Sequence, residues 1–162
     1  MRNLRSLLLL SLISVCALLA AKADSLSITL EPAFQTGAPG QNLTFNATVT
    51  NFSASTVFLN GDSFYVDSPL TVDDTPFYST PLSLDPGDSY TGPLFNVDIP
   101  GATPVGLYTG YFDIVGGADA SQQNLVGEAD FNVQVTPEPS SLLLLASGVA
   151  GLGLVLRRRL AC

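Results

Sequence analysis

The stretch NLTFNATVT, residues 42–50, decides the fold class of this chain. In it Leu43, Phe45, Ala47 and Val49 alternate with asparagine and threonine. Consecutive side chains of a β-strand point to opposite faces of the sheet, so this strand has one apolar face and one polar face. Such alternation is typical of an antiparallel sheet that packs one face on a core and leaves the other in water.

Further β-runs occur on both sides of this stretch, and the longer ones show the same alternation. The additional predicted strands lie at residues 26–30, 57–59, 64–66, 95–99, 106–115 and 128–135. A Gly/Pro cluster follows the first of these runs, and Asn60-Gly61 between two apolar runs predicts a hairpin turn. A second turn is predicted at 85–88, and residues 67–80 show no regular pattern.

About seven short strands with turn signals every ten residues or so favour a β-sandwich. No helical period is apparent before Thr136. We therefore predict one all-β, antiparallel sandwich domain at residues 24–135, built around a single hydrophobic core.

The distribution of charge excludes several classes of function. Residues 24–156 contain all 14 acidic residues and none of the six lysines and arginines, and the chain has no histidine. A formal charge of −14 over this span excludes nucleic-acid binding, which requires basic groups against phosphates. The missing histidine excludes Ser-His-Asp and Cys-His nucleophile arrangements. Because Cys16 and Cys162 both lie outside 24–135, the domain has no disulfide.

The first residues have the pattern of a signal peptide. Two arginines precede an apolar stretch at 7–20, and Ala21 and Ala23 fit the small-x-small pattern of a cleavage site. We predict a signal peptide at 1–23. Lipidation of Cys16 is not expected, because the apolar stretch continues past it.

A second apolar run, at about 140–156, is followed by Arg157, Arg158 and Arg159. As a helix it would span roughly 25 Å, near the short limit for a hydrocarbon core that is ~30 Å thick. We predict a transmembrane helix, with the basic tail 157–159 as a cytoplasmic stop. A buried core helix and an unprocessed tail anchor are the alternatives.

Three residues ahead of this run favour a processed signal. Pro137, Glu138 and Pro139, the apolar run and the arginines together resemble the PEP-CTERM sorting domain of bacterial envelope proteins, here residues 136–162. The resemblance implies that an exosortase-type membrane protease recognises the Pro-Glu-Pro motif and processes the chain there. It also implies a final location at the cell surface or in extracellular polymer.

The predicted domain carries a second resemblance. Pro39-Gly40 with the strand after it, and Pro86-Gly87 with the later Tyr108, resemble bacterial Ig-like and fibronectin-type modules. Tyr108 is placed like a tyrosine-corner residue, whose hydroxyl binds backbone upstream.

Two polar patterns resemble functional sites, and each also has a simpler structural interpretation. Asn42, Asn46 and Asn51 each precede Thr or Ser by two residues, as glycan acceptors do, but they are interpreted as part of a solvent-facing strand surface. Aspartates are frequent in the loops, and Asp73 with Asp74 is the best candidate pair for Ca²⁺. A solvated acidic surface is the preferred interpretation, so we predict no cofactor, with calcium as the alternative.

We expect no enzymatic activity. Glycoside hydrolysis needs two carboxylates across a cleft, and the only glutamates of the predicted domain, Glu31 and Glu128, are expected to face outward. The sequence predicts an exported envelope or extracellular-matrix protein with a structural or adhesive role. A carbohydrate- or calcium-binding surface module is the alternative, with an extracellular polysaccharide as the candidate partner.

Overall fold

Two packed β-sheets form the domain in the computed structural model, which describes residues 25–137, 144–150 and 152. Within 25–137 the chain forms nine strands and one 3₁₀ helix, Thr75–Ser79. The strands are β1 (Leu26–Leu30), β2 (Phe34–Gly37), β3 (Asn42–Asn51), β4 (Val57–Val66), β5 (Thr71–Asp73), β6 (Ser83–Leu84), β7 (Ser89–Asp98), β8 (Gly106–Gly117) and β9 (Asn124–Val135).

The sheets contain four and five strands. The first has the order β1-β3-β7-β5 and the second has the order β2-β9-β8-β4-β6. Strand β2 runs parallel to β9, and the other pairings are antiparallel. The predicted all-β sandwich is therefore confirmed.

Four phenylalanine rings join the sheets at the centre of the core. Phe45 and Phe95 come from the four-stranded sheet, Phe112 and Phe131 from the five-stranded one, and each is at most 1% exposed. The Phe45 and Phe95 ring centroids lie 4.9 Å apart, and those of Phe95 and Phe112 lie 4.7 Å apart. Such pairs add about 0.5–1.5 kcal/mol each beyond the burial of their area.

The predicted hairpin at Asn60-Gly61 is wrong. Strand β4 continues through these residues, and its register against β8 shifts between Leu59 and Gly61. The dipeptide therefore forms a β-bulge. A side chain at Gly116, opposite this point, would overlap the carbonyl oxygen of Phe58, so glycine permits the close approach of the two backbones. The Asn60 side chain donates to the carbonyl oxygens of Asp119 and Gln122, which ties the bulge to the β8–β9 loop.

Two further segments differ from the sequence prediction. Residues 34–37, expected near a turn, form β2, and the irregular stretch 67–80 contains β5 and the 3₁₀ helix. Asn51 is fully buried at the end of β3, where its side-chain amide donates to the carbonyl oxygens of Ser55 and Leu84. The solvent-facing interpretation is thus wrong for Asn51 and confirmed for Asn42 and Asn46, which are exposed.

The tyrosine corner is present. The Tyr108 hydroxyl donates to the carbonyl oxygen of Pro104, four residues upstream, at 2.9 Å. This bond is a hallmark of Ig-like sandwiches.

Candidate functional site

The Pro-Glu-Pro segment begins where the last strand ends. Val135 is fully buried and lies opposite Gly37 of β2. The next residue, Thr136, is still held by the domain, because its N–H donates to the Gly37 carbonyl oxygen at 2.9 Å. Pro137 is exposed. The sandwich is thus followed directly, without a linker, by the predicted recognition motif.

Most of the predicted export elements lie outside the described residues. This applies to the signal peptide at 1–23 with Ala21 and Ala23, to Glu138 and Pro139, and to Arg157, Arg158 and Arg159. Residues 144–150 and 152 are helical, and their exposed apolar side chains include Leu144, Leu145, Val149 and Leu152. Among the described residues no helix is long and apolar enough to cross a membrane.

A second candidate site lies on the outer face of the five-stranded sheet. Tyr65 of β4 and Tyr111 of β8 are cross-strand partners, and Asp130 of β9 is the partner of Tyr111 on its other side. The tyrosine rings stack with centroids 5.9 Å apart and remain 50% and 38% exposed. We call this surface the tyrosine face; a groove of about 430 Å³ runs along it, and its lining includes Thr109 and Asn132.

The sheet geometry explains why these side chains meet. Residues that face each other across antiparallel strands project to the same side, so a matched register brings Tyr65, Tyr111 and Asp130 into one row. Beneath the row, Gly110 lets the inward-facing ring of Phe131 lie directly against the β8 backbone, where a side chain would clash.

Asp67 fixes one end of the tyrosine face. Its carboxylate accepts hydrogen bonds from the Tyr65 hydroxyl at 3.1 Å, from the Thr109 N–H at 2.8 Å and from the Thr109 hydroxyl at 2.9 Å. The bonds from Thr109 and Tyr65 lower the pKa of Asp67, because they stabilise its charged form. The bond from the Tyr65 hydroxyl to Asp67 raises the pKa of Tyr65, since ionisation would remove the donated proton. The tyrosine ring is thereby held in position.

The two aspartates of the predicted calcium pair have different hydrogen-bond partners. The Asp73 carboxylate accepts bonds from Thr75 and Asn96, whereas Asp74 accepts one from Tyr78. Across residues 25–137, 144–150 and 152, no three Asp, Glu, His or Cys side chains group as metal ligands. The predicted absence of a cofactor, with calcium as the alternative, stays a prediction.

Asp62 is one of the aspartates that the sequence placed in a loop, but it lies within β4. It belongs to the inward-facing row of β4, opposite Ile114. Partial burial, with a contribution from the nearby charge of Asp74, raises the pKa of Asp62 to about 6.

The two glutamates considered for hydrolysis are exposed, as predicted. Glu31 follows β1 of one sheet and Glu128 belongs to β9 of the other. Sequence reasoning missed Tyr65 and Tyr111 as site residues. The available signal was the period of two that places Tyr111 out of phase with Phe112 and Ile114.

Comparisons with known proteins identify one segment of the chain. The PEP-CTERM protein-sorting motif matches residues 135–159. No curated protein matches the chain.

Solved structures resemble the sandwich at low identity. Native alpha-2-macroglobulin from Escherichia coli is 19% identical, with a TM-score of 0.44, and the match covers 68% of this chain but only 16% of that one. A CARDB domain from Pyrococcus furiosus is 17% identical over 70% of this chain and 94% of its own, with a TM-score of 0.43. The seventh ScaB type I cohesin from Pseudobacteroides cellulosolvens is 13% identical over 69% and 92%, with a TM-score of 0.39.

The matched motif starts at the final residue of β9, so the segment that directs sorting and the folded domain share a boundary. The resemblance of the segment around Pro137, Glu138 and Pro139 to a PEP-CTERM sorting domain is confirmed. This chain is therefore an exported protein that joins an Ig-like β-sandwich to a PEP-CTERM protein-sorting motif.

Proposed function

We propose that this protein is a structural or adhesive component of the bacterial cell surface or extracellular matrix, and not an enzyme. It crosses the inner membrane behind the signal peptide at 1–23 and is held as a precursor by the apolar run at 140–156. An exosortase-type protease then recognises Pro137, Glu138 and Pro139. The observation that supports this proposal is the match to the sorting motif at 135–159, directly behind a folded domain.

The sorting signal is tested by exchanging Pro137, Glu138 and Pro139 for alanine in the full chain. In a host with an exosortase, wild-type protein should appear in processed form in the surface or medium fraction. The triple variant should insert in the membrane but stay at precursor size, because the proline residues keep the recognised segment extended. Immunoblots of cell, membrane and medium fractions provide the measurement.

The matched control replaces Arg157, Arg158 and Arg159 with serine. These residues act as a stop for translocation, since each charge is costly to move into lipid. This variant should lose membrane retention or orientation while its recognition motif is intact. Wild-type protein that stays uncleaved and has the same size as the alanine variant would contradict processing.

A second candidate function is saccharide binding, and one observation favours it. The rings of Tyr65 and Tyr111 stack on each other and stay partly exposed, with Asp130 and Asn132 at the groove. Exposed aromatic surface bordered by a few polar groups is the usual composition of a ligand site. A domain that adheres to an extracellular polymer needs such a surface.

A further inference from the structure

The tyrosine face offers two kinds of interaction in one place. The rings of Tyr65 and Tyr111 provide flat apolar surface, and both side chains are substantially exposed. Asp130 lies beside Tyr111 in the same row, and Glu128 occupies the exposed position two residues before it on β9. A ligand on this face therefore meets aromatic carbon and carboxylate oxygen together.

No cation of the domain neutralises these carboxylates. Residues 24–156 contain no lysine, arginine or histidine, so Asp130 and Glu128 have no basic partner within that span. Carboxylates attract positive ligand groups, and the face of an aromatic ring attracts a cation as well. The two effects add at the Tyr111–Asp130 pair, and the complementary ligand is positively charged.

The position of the face in the sheet argues against a peptide ligand. Strand β8 pairs with β9 on one side and β4 on the other, so its backbone donors and acceptors are used inside the sheet. Recognition of an extended peptide commonly adds a strand to a free sheet edge. A sugar ring instead lies flat on an aromatic side chain and needs no backbone partner.

We infer that the tyrosine face binds a polysaccharide whose sugar units carry protonated amino groups. A sugar ring packs against the exposed aromatic surface of the stacked Tyr65 and Tyr111 rings, and an ammonium group approaches Asp130. Asp67 acts as a positioning residue, because its bond to the Tyr65 hydroxyl holds the ring at the groove. This inference rests on the second proposed function and specifies its ligand.

The test compares two oligosaccharides with the same backbone. Chitosan hexamer carries free amines, and fully N-acetylated chitin hexamer is neutral. The full chain, purified in a non-ionic detergent, is titrated with each by isothermal calorimetry. We expect chitosan hexamer to bind at least tenfold more tightly, and its affinity to fall with added salt because screening weakens the charge attraction.

Variants distinguish binding at the tyrosine face from non-specific attraction to the negatively charged domain. Tyr111→Ala should weaken chitosan binding about fivefold or more, and Asp130→Asn by a similar factor. Tyr78→Ala is the matched control, since Tyr78 is also exposed but lies on the 3₁₀ helix; it should leave binding unchanged. Tyr65→Phe keeps the ring but loses the bond to Asp67, so it should weaken binding by less than Tyr111→Ala does. Circular dichroism confirms that each variant is folded.

Three results would overturn the inference. Equal binding of the acetylated hexamer would remove the role of the amine. Chitosan binding that responds to salt but not to Tyr111→Ala or Asp130→Asn would reduce it to non-specific attraction. The absence of binding to either hexamer would remove the site. None of these results affects the sorting experiment, which reads the processing of a different part of the chain.

Discussion

The two sheets share one core but present different chemistry to the solvent. On the four-stranded sheet, polar side chains of β3 and β7 bond to each other across the strands, and we call this arrangement the polar ladder. It comprises Asn42–Asp98 at 2.5 Å, Thr44–Asn96 at 2.8 Å, Thr48–Thr91 at 3.1 Å and Thr50–Ser89 at 2.8 Å. On the tyrosine face, rings and carboxylates are exposed. Polar side chains that bond to one another across strands stabilise a sheet. The tyrosine face leaves more of its side chains open to solvent, so it is the face suited to bind a ligand.

The largest expected effect concerns the core beneath both faces. Phe45→Ala should destabilise the protein by about 3–5 kcal/mol, because it removes a fully buried ring and leaves a cavity. Thr44→Ala, one residue away on the polar ladder, should cost less than about 1 kcal/mol. Chemical denaturation of both variants measures the difference. Similar losses would mean that the inward and outward residues of β3 are wrongly assigned.

The next effect distinguishes the two outer faces. Asn96 accepts a bond from Thr44 and donates one to Asp73 at 3.0 Å. Asn96→Ala should therefore destabilise the domain by about 1–2 kcal/mol. Asp130→Asn on the tyrosine face should change the free energy of unfolding by less than about 0.5 kcal/mol. If Asp130→Asn is as costly as Asn96→Ala, Asp130 contributes to the fold and the contrast between the faces is lost.

The smallest effect concerns the pH dependence of stability. Asp62 contributes to it in the direction opposite to the carboxyls whose pKa is lowered. Hydrogen bonds from Thr75 and Asn96 lower the pKa of Asp73, so the stability it contributes is present above pH ~4 and is lost as the pH falls. The pKa of Asp62 is raised to about 6, so the folded state holds its proton more tightly than the unfolded state does. Its contribution therefore declines as the pH rises from ~4 towards 6.

Asp62→Asn should reduce the loss of stability that Asp62 causes as the pH rises. Asp62 is only partly buried, which limits the expected change to about 1 kcal/mol between pH 4 and 7. Unfolding midpoints measured across this range for wild type and variant provide the test, with Asp85→Asn in the exposed turn as the control. A wild-type profile that coincides with that of Asp62→Asn would show that the carboxyl is not perturbed.

Strong periodicity made β3 and β9 predictable from sequence. At residues 43–49 of β3 and 129–135 of β9 every second residue is apolar, and the buried set Phe45, Ala47 and Val49 matches the predicted face. The turn at 85–88 was equally clear, and there the Asp88 N–H bonds to the Asp85 carbonyl oxygen. Local sequence determines such elements, because one face is apolar and the turn residues are specific.

Elements that depend on distant partners were not predictable. Strand β2 has only four residues, Phe34 is 54% exposed, and the parallel partner that defines the strand lies nearly a hundred residues later. Asn60-Gly61 is compatible with a turn and with a bulge, and Gly116 on β8 favours the bulge. The tyrosine face has the same origin, since Tyr65 and Tyr111 become neighbours only through the register of β4 and β8.

The direct junction of β9 with the sorting motif has a consequence for the timing of folding. Strand β9 lies between β2 and β8, so the five-stranded sheet stays incomplete until Val135 and Thr136 are available to pair. Thr136 is four residues from the start of the apolar run, a reach of at most about 14 Å in extended chain. On the proposed export route, in which the N-terminus crosses first and the apolar run is arrested in the bilayer, the sandwich would close only as that run arrives. On that route, folding and membrane arrest would be nearly simultaneous, and the proposed protease would act on a domain that has just folded.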